Sequence, residues 1–434
     1  MNPFSFSKKC VRTPESPISY FMEHAIENPS LISLAAGFVD SESLPAQQVA
    51  DAVADLLADR NTAQAALQYG TTQGYSALRE QILKLVCSLD GIAPDQTAVK
   101  SKDVVVTTGA QQLLYMLSEL LLDPGDIVIT EAPSYFVFHS VLEGNGVRVL
   151  TVPMDDEGMD IDALNQLLAR LQESDQLGKV KLIYVVDYFQ NPSGRTLSLP
   201  RRKHLFETIR RFSTKQRLLL LEDAAYRELR YEGDDIPSVK RFDERNEHVI
   251  YAGTFSKPCA AGLKTGYALM PGELMMPFLR LKGNHDFGSN NFSQYIVHRL
   301  LETGAYHKHV EYLRSVYRVK RDAMIGALEA EFGDWTGVRW THPRGGMFIW
   351  LTMPNDVDLG PNGPVLDAAI REGVLYIPGE FGHVCADGPK PTNEARLSFG
   401  DATPDQIREG VRRFRRAVDL AIDKKPQKEL LAVR

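Results

Sequence analysis

Between Val104 and Met270 the chain returns seven times to a short run of consecutive apolar and β-branched residues, and this recurrence restricts the fold more than any other feature. The runs are VVVTT from 104, DIVIT from 126, VRVLTV from 147, KLIYVV from 181, LLLLED from 218, HVIYAG from 248 and GYALM from 266. A strand with one wet face alternates apolar and polar residues. Several of these runs do not alternate, so both of their faces must be covered. Segments of helical period lie between them: AQQLLYMLSELL from Ala110, DIDALNQLLARLQ from Asp160, and RRKHLFETIRRF from Arg201, the last preceded by Pro200. Strands alternating with helices in this way predict a mostly parallel, doubly wound α/β sheet.

After a long helical region from about Phe292 to Phe332 the pattern changes. VRWTHPRGGMFIWLTMP reads as a hairpin-like β segment and EARLSFG as a further short strand. TPDQ then opens a C-terminal helix, with Thr403 as cap, Pro404 at the first helical position and Gln406 closing a capping box. The many arginines of that helix read as a solvated face. At 434 residues the chain exceeds the roughly 250 to 300 residues at which one core stops growing. The sequence therefore predicts a large domain over residues 47–310 and a smaller α+β domain made of 1–46 together with 311–434.

A net charge of −7 argues against a general nucleic-acid or anionic-membrane binder. Cys10, Cys87, Cys259 and Cys385 show no paired or metal-like spacing, which fits free thiols in a reducing compartment and no metal. The N-terminal residues carry no apolar leader core, and no run approaches the roughly 18 apolar residues of a membrane span. A cytoplasmic protein is the expectation.

Four unlike groups fall just after predicted strands, at the edge where open α/β sheets bind ligands. TTGAQQ sets a glycine turn, Gly109, at the start of a helix whose first N–H groups have no internal partner, a good seat for phosphate. Alone it reads first as a plain strand-to-helix connection. Asn191 follows a strand in DYFQNPSGR, and Asp223 ends another in LLLLEDAAYREL, where it could also serve only as a helix cap. Lys257, in TFSK, follows the strand HVIYAG. A lysine in an enclosed pocket can have its pKa lowered enough to act as nucleophile and base. A phosphate-binding turn, an Asn, an Asp and a Lys are the groups needed to hold pyridoxal phosphate.

Taken in order, LISLAAGFVDSESLP, LQYGTTQGYSALRE, TTGAQQ, EAPSYF, NPSGRTLS, EDAAYREL, TFSKPCAAGLKTGY, PRGGMFIW and EARLSFG resemble the aspartate-aminotransferase-like enzymes of fold type I, which use pyridoxal 5′-phosphate. The PRGGMFIW and NPSG pieces look closest to the branch containing 2-aminoadipate and kynurenine aminotransferases. The resemblance implies that Lys257 forms a Schiff base with the cofactor and later carries the substrate's α-proton. It implies that Asp223 pairs with the pyridinium nitrogen, that Asn191 and Tyr226 bind the phenolic oxygen, and that Tyr135 stacks on the ring. Gly109, Ala110, Gln111 and Ser256 would cradle the phosphate. Arg396, with backbone near Gly37, would grip the substrate α-carboxylate, and Tyr69 would reach the phosphate of a neighbouring subunit, implying a homodimer.

Two departures stand out. The family usually has arginine where Lys264 stands; lysine can hold a phosphate only as a point charge, without the two-pronged geometry. Many members of the branch carry an Ile-Arg-Glu run near the N-terminus, whereas SPISYFMEH offers Ser19 and Tyr20, which points to aromatic or aliphatic amino donors. The activity implied is transfer of an amino group from an L-amino acid to a 2-oxo acid. The same cofactor chemistry could end as a lyase, decarboxylase or oxidase. A transcription regulator is not expected, because only about thirty residues precede LISLAAGF, too few for a DNA-binding domain.

Overall fold

The computed structural model describes residues 4–28, 30–384 and 388–423, the side chains of 18–20 and 24–25 excepted. Ser19, Tyr20 and Cys385 therefore lie outside the described side chains. All seven predicted strands form. In chain order the strands are β1 Ile32–Ser33, β2 Val104–Thr107, β3 Ile127–Ala132, β4 Arg148–Asp155, β5 Gly158–Met159, β6 Val180–Val186 and β7 Leu219–Asp223. They continue with β8 Val249–Thr254, β9 Gly266–Leu269, β10 Arg339–Trp340, β11 Phe348–Thr352, β12 Val374–Leu375, β13 Ile377–Pro378 and β14 Glu394–Ser398.

The main sheet has eight strands in the order β2-β9-β8-β7-β6-β3-β4-β5. Its central pairs β8/β7, β7/β6, β6/β3 and β3/β4 are parallel, and only β9 and β5 run against their neighbours. The run of consecutive apolar residues has its predicted meaning. Leu182, Tyr184 and Val186 face one core, while Ile183 and Val185 face another. The helix Gly109–Leu121 packs Leu113 and Leu117 on the first side; Ile161–Glu173 and Leu199–Phe212 pack Leu164, Leu168, Leu205 and Ile209 on the second. Two-sided coverage is the doubly wound arrangement.

The remaining strands build a four-stranded sheet, β10-β11-β14-β13, and a parallel pair joining β1 to β12. VRWTHPRGGMFIW closes as the antiparallel pair β10/β11. Its PRGG corner is tied by backbone to the main sheet's flank: Gly346 N–H donates to Leu229 O at 2.9 Å, and Tyr231 N–H to Arg344 O at 2.8 Å. The C-terminal helix, Pro404–Asp423, starts at the predicted box, with Gln406 N–H on Thr403 Oγ1 at 3.2 Å and Thr403 N–H on Gln406 Oε1 at 2.9 Å. The long helical region divides into Asn291–Glu302 and Ala305–Phe332, separated by Gly304 in the left-handed region. No helix among the described residues is long and apolar enough to cross a membrane.

Candidate active site

The carboxyl ends of β2, β3, β6, β7 and β8 open on one edge of the main sheet, and antiparallel β9 begins there. Each strand, as it ends, delivers one of the predicted groups. Gly109, Ala110 and Gln111 follow β2, Tyr135 follows β3, Asn191 follows β6, Asp223 closes β7, Ser256 and Lys257 follow β8, and Lys264 precedes β9. Sheet topology therefore gathers residues spread over about 150 positions.

The Lys257 ammonium donates to Gly37 O at 2.7 Å, joining this edge to the N-terminal segment. Burial pushes its pKa down to about 8, and the positive charges of Arg396 and Lys264 act in the same direction. Lys257 therefore exchanges between charged and neutral amine close to neutral pH. The second lysine of the stretch, Lys264, is exposed and in the left-handed region, yet its charge is felt at Lys257.

Asp223 is 5 % exposed, and burial pushes its carboxyl up to about 6. Two donors oppose that shift: Tyr184 O–H on Oδ2 at 3.0 Å and Ala225 N–H on Oδ1 at 3.2 Å. The bland reading of Asp223, a cap for a helix, does not describe it, since the next residues form a turn rather than a helix.

Arg396 is 1 % exposed and comes from β14, opposite Trp350 of β11 and Ile377 of β13. Nη1 donates to Asn191 Oδ1 at 2.8 Å and Nη2 to Ala35 O at 2.6 Å, while Nε has no partner among the described residues. Its guanidinium lies 4.3 Å from the Phe348 ring centroid and 5.4 Å from that of Phe136. Desolvation lowers its pKa to about 10, against the pull of the Tyr226 and Tyr135 phenols. Arg396 is thus a buried cation with spare donor capacity and, among the described residues, no carboxylate partner. Asn191 Nδ2 donates to Tyr226 Oη at 3.5 Å, and burial raises the pKa of Tyr226.

At the β2 turn Gly109 has φ +72°, and a Cβ there would meet nothing within 4 Å, so the turn faces open space. Thr108 gives the following helix no side-chain cap, which leaves the first-turn N–H groups of Gly109, Ala110 and Gln111 available. Gln111 Oε1 instead accepts from Tyr135 O–H at 3.4 Å. Thr254 Oγ1 donates to Ser256 Oγ at 3.0 Å, at the end of β8. An uncapped helix start, a hydroxyl, nearby cations, a buried acid and a lysine suit the donor needs of pyridoxal phosphate.

Tyr69 stands apart. It is 82 % exposed and meets the Phe287 ring in a T-shaped contact at 5.8 Å, and among the described residues it makes no hydrogen bond to these groups. Sequence reasoning missed Tyr184 and the carbonyl of Ala35. It also missed Glu131, which accepts from Gln190 Nε2 at 2.7 Å and Val186 N–H at 3.1 Å and so ties β3 to the loop carrying Asn191. No local signal marked Tyr184: it stands two residues before Val186, which pairs with Asp223, and that register belongs to the tertiary structure.

The sequence profile described as "Aminotransferase class I and II" matches residues 29–414. Aromatic-amino-acid aminotransferase 1 of Thermococcus litoralis is 34% identical over 94% of this chain and 93% of its own. The 2-aminoadipate transaminase of Thermus thermophilus is 34% identical over 96% and 98%. Among solved structures, a kynurenine aminotransferase of Pyrococcus horikoshii in complex with PMP superposes with a TM-score of 0.86 at 34% identity, covering 95% of this chain and 96% of that one.

Proposed function

Because the chain belongs to the class I and II aminotransferases, we propose how its own residues divide the work of that activity. It is a pyridoxal-phosphate-dependent enzyme that moves the amino group of an L-amino acid to a 2-oxo acid; the lyase, decarboxylase and oxidase readings are not favoured. When bound, the cofactor supplies an electron-withdrawing ring that stabilises negative charge at the substrate α-carbon.

Lys257 is the proposed attachment point and, once free, the base that takes the proton from the substrate α-carbon. Its pKa near 8 supports this, because a useful fraction is neutral at physiological pH without losing proton affinity. Asp223 is proposed to hold the ring nitrogen in its protonated form. Asn191 and Tyr226, already within reach of each other, are proposed to hold the phenolic oxygen. Tyr135 is proposed to cover one ring face. Gly109, Ala110, Gln111, Ser256 and the point charge of Lys264 are the proposed phosphate seat. Arg396, with the backbone near Gly37, is the proposed clamp for the substrate α-carboxylate, its Nε without a partner among the described residues; the Phe348 and Phe136 rings against its guanidinium keep it dry and strengthen the pairing.

The single observation that carries this division is the convergence of Lys257, Asp223 and Arg396, from three distant parts of the sequence, on one sheet edge. Borohydride reduction of the holoenzyme followed by peptide mapping tests it: the label is expected on Lys257, and a label elsewhere refutes the assignment. Aromatic or aliphatic donors are proposed, supported by the lack of Lys or Arg in SPISYF. Absorbance titration with phenylalanine, leucine and 2-aminoadipate checks this; preference for 2-aminoadipate contradicts it.

A homodimer is proposed on the exposure of Tyr69, with the partner's phosphate as its target, and sedimentation measures it. A cytoplasmic setting is proposed from the free thiols of Cys10, Cys87 and Cys259. The division at 47–310 is proposed on the β1/β12 pairing, which ties the N-terminal segment to the later part of the chain.

A further inference from the structure

We propose that Tyr184 is a positioning residue for Asp223, its hydroxyl holding the carboxylate in the ionised form and so placing the shared proton on the cofactor's ring nitrogen. The inference rests on the reading of Asp223 as the partner of that nitrogen, and it concerns a residue that none of the predicted roles includes.

The geometry is set by strand register. In the parallel pair β6/β7, Tyr184 stands opposite Leu221 and Val186 opposite Asp223. Tyr184 and Asp223 are thus two residues apart along neighbouring strands and point to the same face. Two residues of strand rise about 6.6 Å, which is about the reach of a tyrosine from Cα to its hydroxyl. The O–H accordingly lands on Asp223 Oδ2 at 3.0 Å. The side chain is fully buried, and its ring is locked by Phe138 at a centroid distance of 4.5 Å. A buried phenol needs an acceptor, and a donor bound to a carboxylate favours the charged form over the neutral one.

The surroundings make that contribution matter. Asp223 is buried, which favours the neutral acid. The groups facing it from packed elements are Glu131 on β3, itself pushed up to about 7 by burial, and the phenols of Tyr135 and Tyr226. Glu131 when ionised repels a second negative charge. The donors that oppose neutralisation are the Tyr184 hydroxyl and the Ala225 N–H, and only the former belongs to a side chain.

Tyr184→Phe keeps the ring that packs on Phe138 and deletes only the hydroxyl. In cofactor-free protein, the carboxyl band that Asp223→Asn removes is followed by infrared difference titration. Its midpoint is expected to rise in Tyr184→Phe by about one to two pH units, the scale of a hydrogen bond to a charged acceptor. In holoenzyme carrying pyridoxal phosphate labelled with ¹⁵N in the ring, the nitrogen resonance is expected to move toward its unprotonated position. An unmoved midpoint or an unmoved resonance in Tyr184→Phe overturns the proposal. Asp223→Asn separates the two levels. If Asp223→Asn shifts the ring-nitrogen resonance and Tyr184→Phe does not, this inference alone is lost; if neither shifts it, the reading of Asp223 is lost as well.

Discussion

Gly266→Ala tests the phosphate seat through a single methyl group. Gly266 is the first residue of β9, in register with Thr107 of β2 on one side and Thr254 of β8 on the other. It thus sits between the strand that runs into the Gly109 turn and the strand that runs into Lys257. A Cβ at this position would lie 2.5 Å from Gly109 C, 2.6 Å from Ala110 N and 2.9 Å from Gly109 Cα, all backbone atoms that cannot swing aside. The turn must retreat by about 1 Å before these contacts become ordinary, at an overpacking cost of about 1–3 kcal/mol. Because the retreat falls on the N–H groups proposed to hold the phosphate, cofactor affinity is expected to drop by about 10- to 100-fold, the scale of a misplacement of that size at a tightly oriented site. Chemical denaturation measures the first quantity and equilibrium titration with pyridoxal phosphate the second. Gly262→Ala is the control: its Cβ would meet nothing within 4 Å, so both quantities are expected to stay put. Lost stability with unchanged affinity refutes the seat; unchanged stability refutes the packing argument itself.

The rate at which cofactor-free enzyme attaches pyridoxal phosphate is expected to rise with pH and level off above about 8, because the attacking Lys257 amine must be neutral and its folded pKa is depressed to that value. Stopped-flow absorbance follows it, and a flat profile from pH 6 to about 9 counts against Lys257 as the attachment point. Arg396→Lys is expected to raise KM for the amino donor by about 10- to 100-fold, since a compact ammonium cannot bridge a carboxylate while also holding Asn191 and Ala35; an unchanged KM removes Arg396 from carboxylate binding. Away from the site, Arg202 is fully buried against Asp187 and Glu222, so Arg202→Met removes the cation that faces both acidic groups, of which Glu222 keeps the Val239 and Lys240 N–H donors, and is expected to cost about 3–5 kcal/mol in urea denaturation; a loss under about 1 kcal/mol contradicts that pairing.

The main sheet was legible because its strands are buried on both sides, and a run such as KLIYVV has few other soluble homes. The capping box at Thr403 was legible because it is local: every atom it uses lies within four residues. The helices Ala46–Ala58, Arg60–Leu67 and Ser76–Leu89 were not singled out, and the break at Gly304 was not seen within a region of uniform helical period. The site was legible only in part. Lys257, Asp223 and Asn191 betray themselves by ending or following strands, whereas Arg396 and Tyr135 rested on family resemblance, since an arginine in EARLSFG or an aromatic after EAPS has no local mark of function.

What the sequence determined by itself was composition along each strand: which runs are apolar on both faces, and which polar residues follow them toward the ligand-binding edge. Strand order and register were decided by tertiary structure. The Tyr184 hydroxyl meets Asp223 because β6 pairs with β7, and Arg396 meets Asn191 because β14 lies against the loop after β6. Those pairings join residues 39 and 205 positions apart. The physical reason is that a local pattern records what a residue needs, burial or water, while the identity of its partner depends on closing long loops and packing whole elements, an energy shared among many side chains and written in none of them alone.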